Sequence, residues 1–307
     1  YYGFPILIKE SCKFSRYQLI SFLEENNVQT RPLFAGNLAD QPGLRKMPKK
    51  ISRINSLKLN RKLVCLTTYS KPIAKLLDNH CDIILVGDSV ATAFYGMKDT
   101  KSISLNTIIN HSVAVRKGAK KSTVVVDMPI NTYKNLEVAK RNVREVFKRT
   151  KCDAVKLESN GKNFKIIKKL VELGYPIMGH VGFTPQNKKK FKPQGLKKIE
   201  EKKLIKESLE IERAGAFSLV LECIAEKTSK KITNITKIPT IGIGSSKFCN
   251  GQILVTDDLI GISGFKPKFV KKYVNLKQIL NKTFAKFKTD VISQKFPSRK
   301  NSFIWKI

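Results

Sequence analysis

The 307-residue chain is 41% hydrophobic, ordinary for a globular protein, and has no apolar run near the ~20 residues of a membrane helix. Its 59 Lys and Arg against 24 Asp and Glu give a formal charge of +35, but Lys is spread over polar helix faces. That argues against a dedicated nucleic-acid binder, which gathers its cations on one face among aromatics.

Six scattered cysteines without a CxxC pair suit a reducing compartment, and no signal-peptide pattern precedes the first elements, so a cytoplasmic protein is expected. The charge, locally dense at Lys188-Lys189-Lys190-Phe191-Lys192 and from Lys266 to Lys272, can still attract anionic substrates.

Residues 1–46 read differently from the rest. Ser15 is placed to cap a helix from Arg16 to about Glu25, with Leu19, Ile20, Phe22 and Leu23 as its apolar positions. The following phrase, Thr30-Arg31-Pro32-Leu33-Phe34-Ala35-Gly36-Asn37, resembles part of the C-terminal small domain of pyridoxal-phosphate sugar aminotransferases and dehydrases. No cofactor-binding half accompanies it, and so short a piece cannot build its own core, so no activity is carried over. Met47, before Pro48-Lys49-Lys50, reads as a natural start. Two units are therefore expected, a foreign-looking segment 1–46 and the catalytic domain 47–307, brought together by the joining of two neighbouring reading frames. The competing reading is a native extension packed on that domain; the mass of the native protein decides between them.

From Ile51 to Leu59 an amphipathic element is predicted, plugging the bottom of a barrel. Strands are predicted at Leu63 to Thr68, Ile83 to Gly87, Thr123 to Asp127, Ala154 to Glu158, Pro176 to Val181, Ser218 to Glu222, Pro239 to Ile243 and about Gln252 to Thr256. Most are short runs apolar on both faces, as a parallel sheet covered by helices requires. Between them, Ser70 and Pro72 start a helix with Ile73, Leu76 and Leu77 facing inward. Leu105, Ile108, Ile109, Ser112 and Val113 mark another, stopping near Gly118. Further helices are predicted from Asn135 to about Arg149, from Asn163 to Leu173 before Gly174, and up to Ala214. The tail from Tyr273 to Lys288 repeats Leu276, Ile279, Leu280 and Phe287 on one face. The long stretch from Ser89 to Ser104 is expected to form a lid or wall. This alternation over about 250 residues predicts an α/β fold, a (β/α)8 TIM barrel.

The strands end on chemistry. Asp88 and Ser89 follow the second, and Asp127 closes the third. Glu158 closes the fourth, His180 lies in the fifth, and Glu222 closes the sixth. Their spacing of roughly 20 to 40 residues is about one βα unit, so a barrel gathers them at one mouth. Two carboxylates at one rim repel, and a hard cation such as Mg2+ resolves this with waters and substrate oxygens completing its shell. Asp88 and Asp127 are its candidate ligands, with Glu158 holding a bound water. The alternative is that each acid pairs with a nearby Lys, for example Lys156. Glu222, ending an apolar strand, should have a raised pKa and serve as a base. His180 either hydrogen-bonds a substrate oxygen or is a satisfied structural group. The turn Gly242-Ile243-Gly244-Ser245-Ser246 is similar to phosphate-cradling loops, although a tight turn needs Gly anyway.

Eight segments then identify a family. They are Thr67-Thr68-Tyr69, Leu85-Val86-Gly87-Asp88-Ser89, Val126-Asp127-Met128-Pro129, Val155-Lys156-Leu157-Glu158, Gly179 to Gln186, Leu221-Glu222-Cys223, Ile241-Gly242-Ile243-Gly244 and Gly251 to Val255. In this order they resemble ketopantoate hydroxymethyltransferases, members of the phosphoenolpyruvate/pyruvate barrel superfamily. The resemblance implies Mg2+ on Asp88 and Asp127, with Glu158 near it through water. It implies keto-acid contacts from Asp88, Ser89, Asp127, Lys156 and His180, and Glu222 as general base. It also implies 3-methyl-2-oxobutanoate and 5,10-methylenetetrahydrofolate as substrates, no specific nucleic acid and no membrane, and a homo-oligomer, a decamer of stacked pentamers. Ser159, Leu196, Ser245-Ser246 and Asn250 depart from the family pattern, which bears on folate contacts, loop closure and subunit packing rather than on the metal ligands or base. Another keto-acid lyase or mutase of the superfamily would typically carry a catalytic Cys after the fourth-strand region, and none stands there. A basic nucleic-acid-associated protein with a dead barrel would have lost site residues, yet they are intact.

Overall fold

Strands that are apolar on both faces leave no side for solvent, and here they close on themselves. The computed structural model describes residues 14, 16–28, 30, 48–159, 161–186, 192–264 and 267–303. Contacts divide the chain into two units, Tyr1–Lys46 and Met47–Ile307. In the first, helix α1 spans Arg16–Glu25, as its apolar spacing predicts. Ser15 and most of the phrase from Thr30 to Asn37 lie outside the described residues.

The second unit contains strands β1 (Leu63–Thr67), β2 (Ile83–Val86), β3 (Thr123–Asp127), β4 (Ala154–Glu158), β5 (Ile177–Gly182), β6 (Ser218–Glu222), β7 (Thr240–Ile243) and β8 (Gly251–Leu254). All neighbours pair in parallel, and β8 returns to β1 to close the barrel. Helix α2 (Lys49–Asn60) buries Ile51 and Ile54 against Leu63, Ile83, Val125 and Phe217, plugging the amino-terminal end as predicted.

Side chains alternate along each strand. Val125, Ala154, Met178 and Val220 join the interior cluster, whereas Val124, Val126, Val155, Leu157, Leu219 and Leu221 pack outward on the helices. Counting by two from the interior residues reaches Asp127, Lys156, Glu158, His180 and Glu222. The same alternation that fills the barrel's lower layer therefore points these groups inward at its carboxyl end.

Outside the sheet lie α3 (Lys71–Leu77), the one-turn α4 (Val90–Ala93), α5 (Leu105–Gly118), α6 (Leu136–Thr150), α7 (Phe164–Glu172), α8 (Lys198–Arg213) and α9 (Glu226–Ile235). Ser104 Oγ accepts from Thr107 N at 3.1 Å and Asn135 Oδ1 from Val138 N at 2.9 Å, capping α5 and α6.

One expectation needs correction. Leu76 does not face inward; it is 65% exposed, because α3 rests on α5 through Ala74. Helix α5 stops at Gly118 as predicted, and there a side chain would collide with Lys71 O and the Ala74 Cβ. Its missing Cβ allows the two helices to approach closely. Finally, α9 carries no predicted apolar stripe; Thr228 and Ser229 share its buried face with Ile232, so periodicity alone passes over it.

Helix α10 (Thr256–Leu259) is a single turn after β8, and α11 (Leu276–Ile292) has no buried residue. Among the described residues no helix is long and apolar enough to cross a membrane. Cys65, Cys81, Cys152, Cys223 and Cys249 are free and buried. The lysines at 188–190 and Lys266 lie outside the described residues.

Candidate active site

Strand register sets the first contacts. Asp127 stands beside Lys156 across β3 and β4, and Glu158 beside His180 across β4 and β5. Lys156 Nζ donates to Asp127 Oδ2 at 2.9 Å. His180 Nδ1 lies 3.7 Å from Glu158 Oε1, and its Nε2 lies 3.2 Å from Glu222 Oε2. Asp88 sits just past β2, and its backbone N–H donates to Asp127 Oδ2 at 3.1 Å. The six predicted groups Asp88, Asp127, Lys156, Glu158, His180 and Glu222 thus meet at one mouth.

Ser89 joins them from the same turn. Its Oγ shares a hydrogen bond of 2.8 Å with Tyr69 Oη. A side chain on Gly87 would press on Ser89 Oγ at 2.8 Å and approach Asp127 Oδ2 at 3.7 Å. Glycine at that position lets Ser89 and Asp127 share the corner.

Sequence reasoning missed Gln186. It is 1% exposed, and its Nε2 donates to Asp88 Oδ2 at 2.9 Å and to Met128 O at 3.1 Å. Its backbone N–H donates to Glu158 Oε2 at 3.2 Å, and its Oε1 accepts from Tyr133 Oη at 2.6 Å. The available signal was its place in the Gly179 to Gln186 segment, where only His180 was assigned a role.

The site is crowded with acids. Burial pushes Asp127 up to about 7; Lys156 opposes that rise and Asp88 adds to it. Burial pushes Glu158 well above the usual carboxylate range, with Asp88 adding to the shift. Burial likewise pushes Glu222 up to about 7, against the pull of Lys156. For Lys156, burial alone would lower the pKa, but the charges of Asp127, Asp88 and Glu158 outweigh it and hold the pKa high. Within the Asp127–Lys156 pair, then, the base is held charged while the acid is driven toward neutral. One ammonium facing several carboxyls explains both: the ammonium keeps its proton, and the surplus negative charge falls on the acids.

The expected alternative, an acid paired with Lys156, is realised on one oxygen of Asp127. The other, Oδ1, is fully buried and has no hydrogen-bond partner among the described residues. A buried carboxylate oxygen left in this state is costly unless a ligand meets it. Among the described residues no three His, Cys, Asp or Glu side chains form a ready metal cage. A cation here would rest on Asp88 and Asp127, with waters and substrate supplying the remaining oxygens, a habit of Mg2+.

The Gly242 to Ser246 turn is occupied with its own structure. Ser245 Oγ accepts from Ile224 N at 3.2 Å, and Ser246 O accepts from Gln252 Nε2 at 2.8 Å. Gly244 has φ +58°, so the glycine is explained by the turn. His111, given no role from sequence, bridges Tyr69 O and Tyr95 Oη behind the Ser89 corner.

A family model described as ketopantoate hydroxymethyltransferase matches residues 48–299. The 3-methyl-2-oxobutanoate hydroxymethyltransferase of Pelagibacter ubique (strain HTCC1062) is 47% identical over 257 residues, covering 84% of this chain and 100% of that protein. Its counterpart in Thermosipho africanus (strain TCF52B) is 41% identical over 259 residues, 82% of this chain and 97% of that protein. Among solved structures, phosphoenolpyruvate phosphomutase from Streptomyces platensis subsp. rosaceus superposes with a TM-score of 0.54 at 9% identity, covering 80% of this chain and 88% of that one. A phosphonopyruvate hydrolase complex with oxalate and Mg++ gives 0.52 at 13% identity, covering 82% and 93%. At such low identity these structures speak for the barrel fold alone. Matched along its whole barrel by the family model and by relatives well above 30% identity, the chain belongs to the ketopantoate hydroxymethyltransferase family.

Proposed function

We propose that this protein transfers a hydroxymethyl group from 5,10-methylenetetrahydrofolate to 3-methyl-2-oxobutanoate, forming ketopantoate on the route to pantothenate. The observation that carries this reading is Glu222. Its carboxyl, pushed up to about 7, faces a barrel mouth that also holds a buried ammonium and an aspartate oxygen without a hydrogen-bond partner among the described residues. A base of that strength is partly ionised at neutral pH and still wants a proton, which suits removal of hydrogen from carbon next to a ketone.

The donor set fits Mg2+: Asp88 and Asp127 would hold it directly and Glu158 through a water. When bound, it would supply Lewis-acid polarisation of the keto acid's carboxylate and ketone oxygens. Ser89 and His180 would orient the keto acid. Glu222 takes the C3 proton, and Lys156 Nζ stabilises the negative charge that then spreads toward the ketone oxygen. C3 bonds to the carbon of the folate's one-carbon unit, whose bonds to N5 and N10 both break, water supplies the hydroxyl oxygen, and tetrahydrofolate leaves with the proton taken by Glu222 and the one given up by water. His180, 3.2 Å from Glu222, keeps the carboxyl turned toward the mouth.

Incubation with both substrates and Mg2+ should give ketopantoate, and a chelator should stop it; turnover that survives chelation would remove the metal from the scheme. Asp88→Asn should weaken Mg2+ and keto-acid affinity together by about 10–100-fold, the range for disturbing a metal's supporting groups. Calorimetric titration reading wild-type Mg2+ affinity in that variant would remove Asp88 as a ligand.

A homo-oligomer, a decamer by resemblance, is part of this reading, as is a cytoplasmic site of action. Its support is α11, which leaves Ile279, Phe284, Phe287, Val291 and Ile292 exposed along 17 residues. Such a stripe on a helix without buried residues wants a partner surface. Light scattering that returned a monomer would sink it.

A further inference from the structure

We propose that Gln186, itself held by Tyr133, is the positioning residue that aims Asp88. The proposal rests on the reading of Asp88 as a cation and keto-acid ligand, and adds the device that orients it.

The direction of the hydrogen-bond chain follows from which groups can donate. Asp88 Oδ2 and Met128 O only accept, and both face one end of the Gln186 amide at 2.9 and 3.1 Å. That end must therefore be the NH2 group, whose two hydrogens serve the two acceptors. The opposite end, the carbonyl Oε1, lies 2.6 Å from Tyr133 Oη, so the phenol is the donor there. A flipped amide would set its oxygen against a carboxylate and a carbonyl, and its NH2 against the phenol. The order Tyr133 to Gln186 to Asp88 is thus the arrangement that satisfies every group.

Burial makes the order matter. Gln186 is 1% exposed and Tyr133 7%, so water does not replace a lost partner at low cost. Burial also pushes the Tyr133 phenol far above its ordinary pKa, with Glu158 and Asp127 adding to the rise, so it stays protonated and keeps donating. With Oδ2 held by the amide, Asp88 cannot rotate freely, and its Oδ1, without a hydrogen bond among the described residues, is the oxygen left for a ligand. The backbone N–H of Gln186 donates to Glu158 Oε2 at 3.2 Å, so one position in the β5 loop orients acids from β2 and β4. Among the described residues neither Tyr133 nor Gln186 hydrogen-bonds to Glu222 or Lys156; they act through the acids they hold, Asp88 foremost.

The test uses Mn2+ alone, titrated into the full-length protein and followed by the loss of its free-ion EPR signal. Gln186→Leu should lower Mn2+ affinity about tenfold. Tyr133→Phe, which removes one oxygen and leaves the ring in place, should lower it about threefold. The double variant should bind no more weakly than Gln186→Leu, because Tyr133 has nothing to hold once the amide is gone. C3 exchange at saturating keto acid and Mn2+ should recover in Tyr133→Phe, since alignment and not chemistry is impaired. Additive losses in the double variant, or wild-type affinity in Gln186→Leu, would overturn the proposal. If Gln186→Leu fails to fold, Tyr133→Phe alone decides: wild-type Mn2+ affinity in that variant refutes it. Absence of Mn2+ binding to the wild-type protein would instead refute the metal reading itself, and this proposal with it.

Discussion

Glu222→Gln should lose exchange of the C3 proton of 3-methyl-2-oxobutanoate by about 10²–10⁴-fold, the usual contribution of a positioned base. The amide keeps the shape of the carboxyl and its contact with His180, 3.2 Å away in the wild type, so keto-acid affinity should be retained. Proton NMR in D2O reads the exchange directly, without folate. In the wild type, exchange should fall as pH drops through about 7, because Glu222 must be ionised to accept the proton. The same substitution should stabilise the protein at pH 8. The folded carboxyl titrates near 7 and the unfolded one near 4.5, so between those values the folded state binds more protons. Wild-type stability from this group is therefore full below 4.5 and declines as pH rises to 7. With the side chain 17% exposed, the decline amounts to about 1–3 kcal/mol, which Glu222→Gln avoids. Unchanged exchange in the variant would remove Glu222 as the base, and a stability difference that does not grow with pH would contradict its raised pKa.

Lys156→Met should do the reverse, costing both stability and catalysis. The ammonium is the counter-charge of Asp127 at 2.9 Å and also feels Asp88 and Glu158. Removing one member of a buried pair costs about 3–5 kcal/mol, because the partner is left charged in a low-dielectric site. For a chain of this size that is a fall in melting temperature on the order of 10 °C. The loss should be largest above pH 7, where Asp127 is ionised, and should shrink as pH falls below its pKa of about 7. Loss of the cation beside the developing negative charge should also lower kcat by about 10²–10³-fold. Scanning calorimetry at pH 5.5 and 8 separates the two effects. A variant as stable as wild type at pH 8 would show that the ion pair is electrostatically neutral for the fold.

The barrel was legible in the chain because parallel strands buried on both faces must be short continuous apolar runs, as at Ile83-Ile84-Leu85-Val86 and Thr123-Val124-Val125-Val126. So was the rule that chemistry sits where such runs stop, which placed Asp88, Asp127, Glu158, His180 and Glu222 at one end. What such runs hide is orientation. When both faces are apolar, period two carries no sign, and nothing in Ile83-Ile84-Leu85-Val86 says which alternate residues look inward. Glycines are ambiguous for a similar reason: Gly118 reads as a helix stop and does end α5, but only the approach of α3 shows that it is a packing contact as well.

The residue types and their order along the chain, then, determined the fold, the family and the list of acids at the mouth. Register between strands decided that Lys156 answers Asp127 and that His180 stands between Glu158 and Glu222. The folded loop after β5 decided that Gln186 reaches back 98 positions to Asp88. Such pairings are set by distances across the closed sheet, and a linear pattern records only distances along the chain.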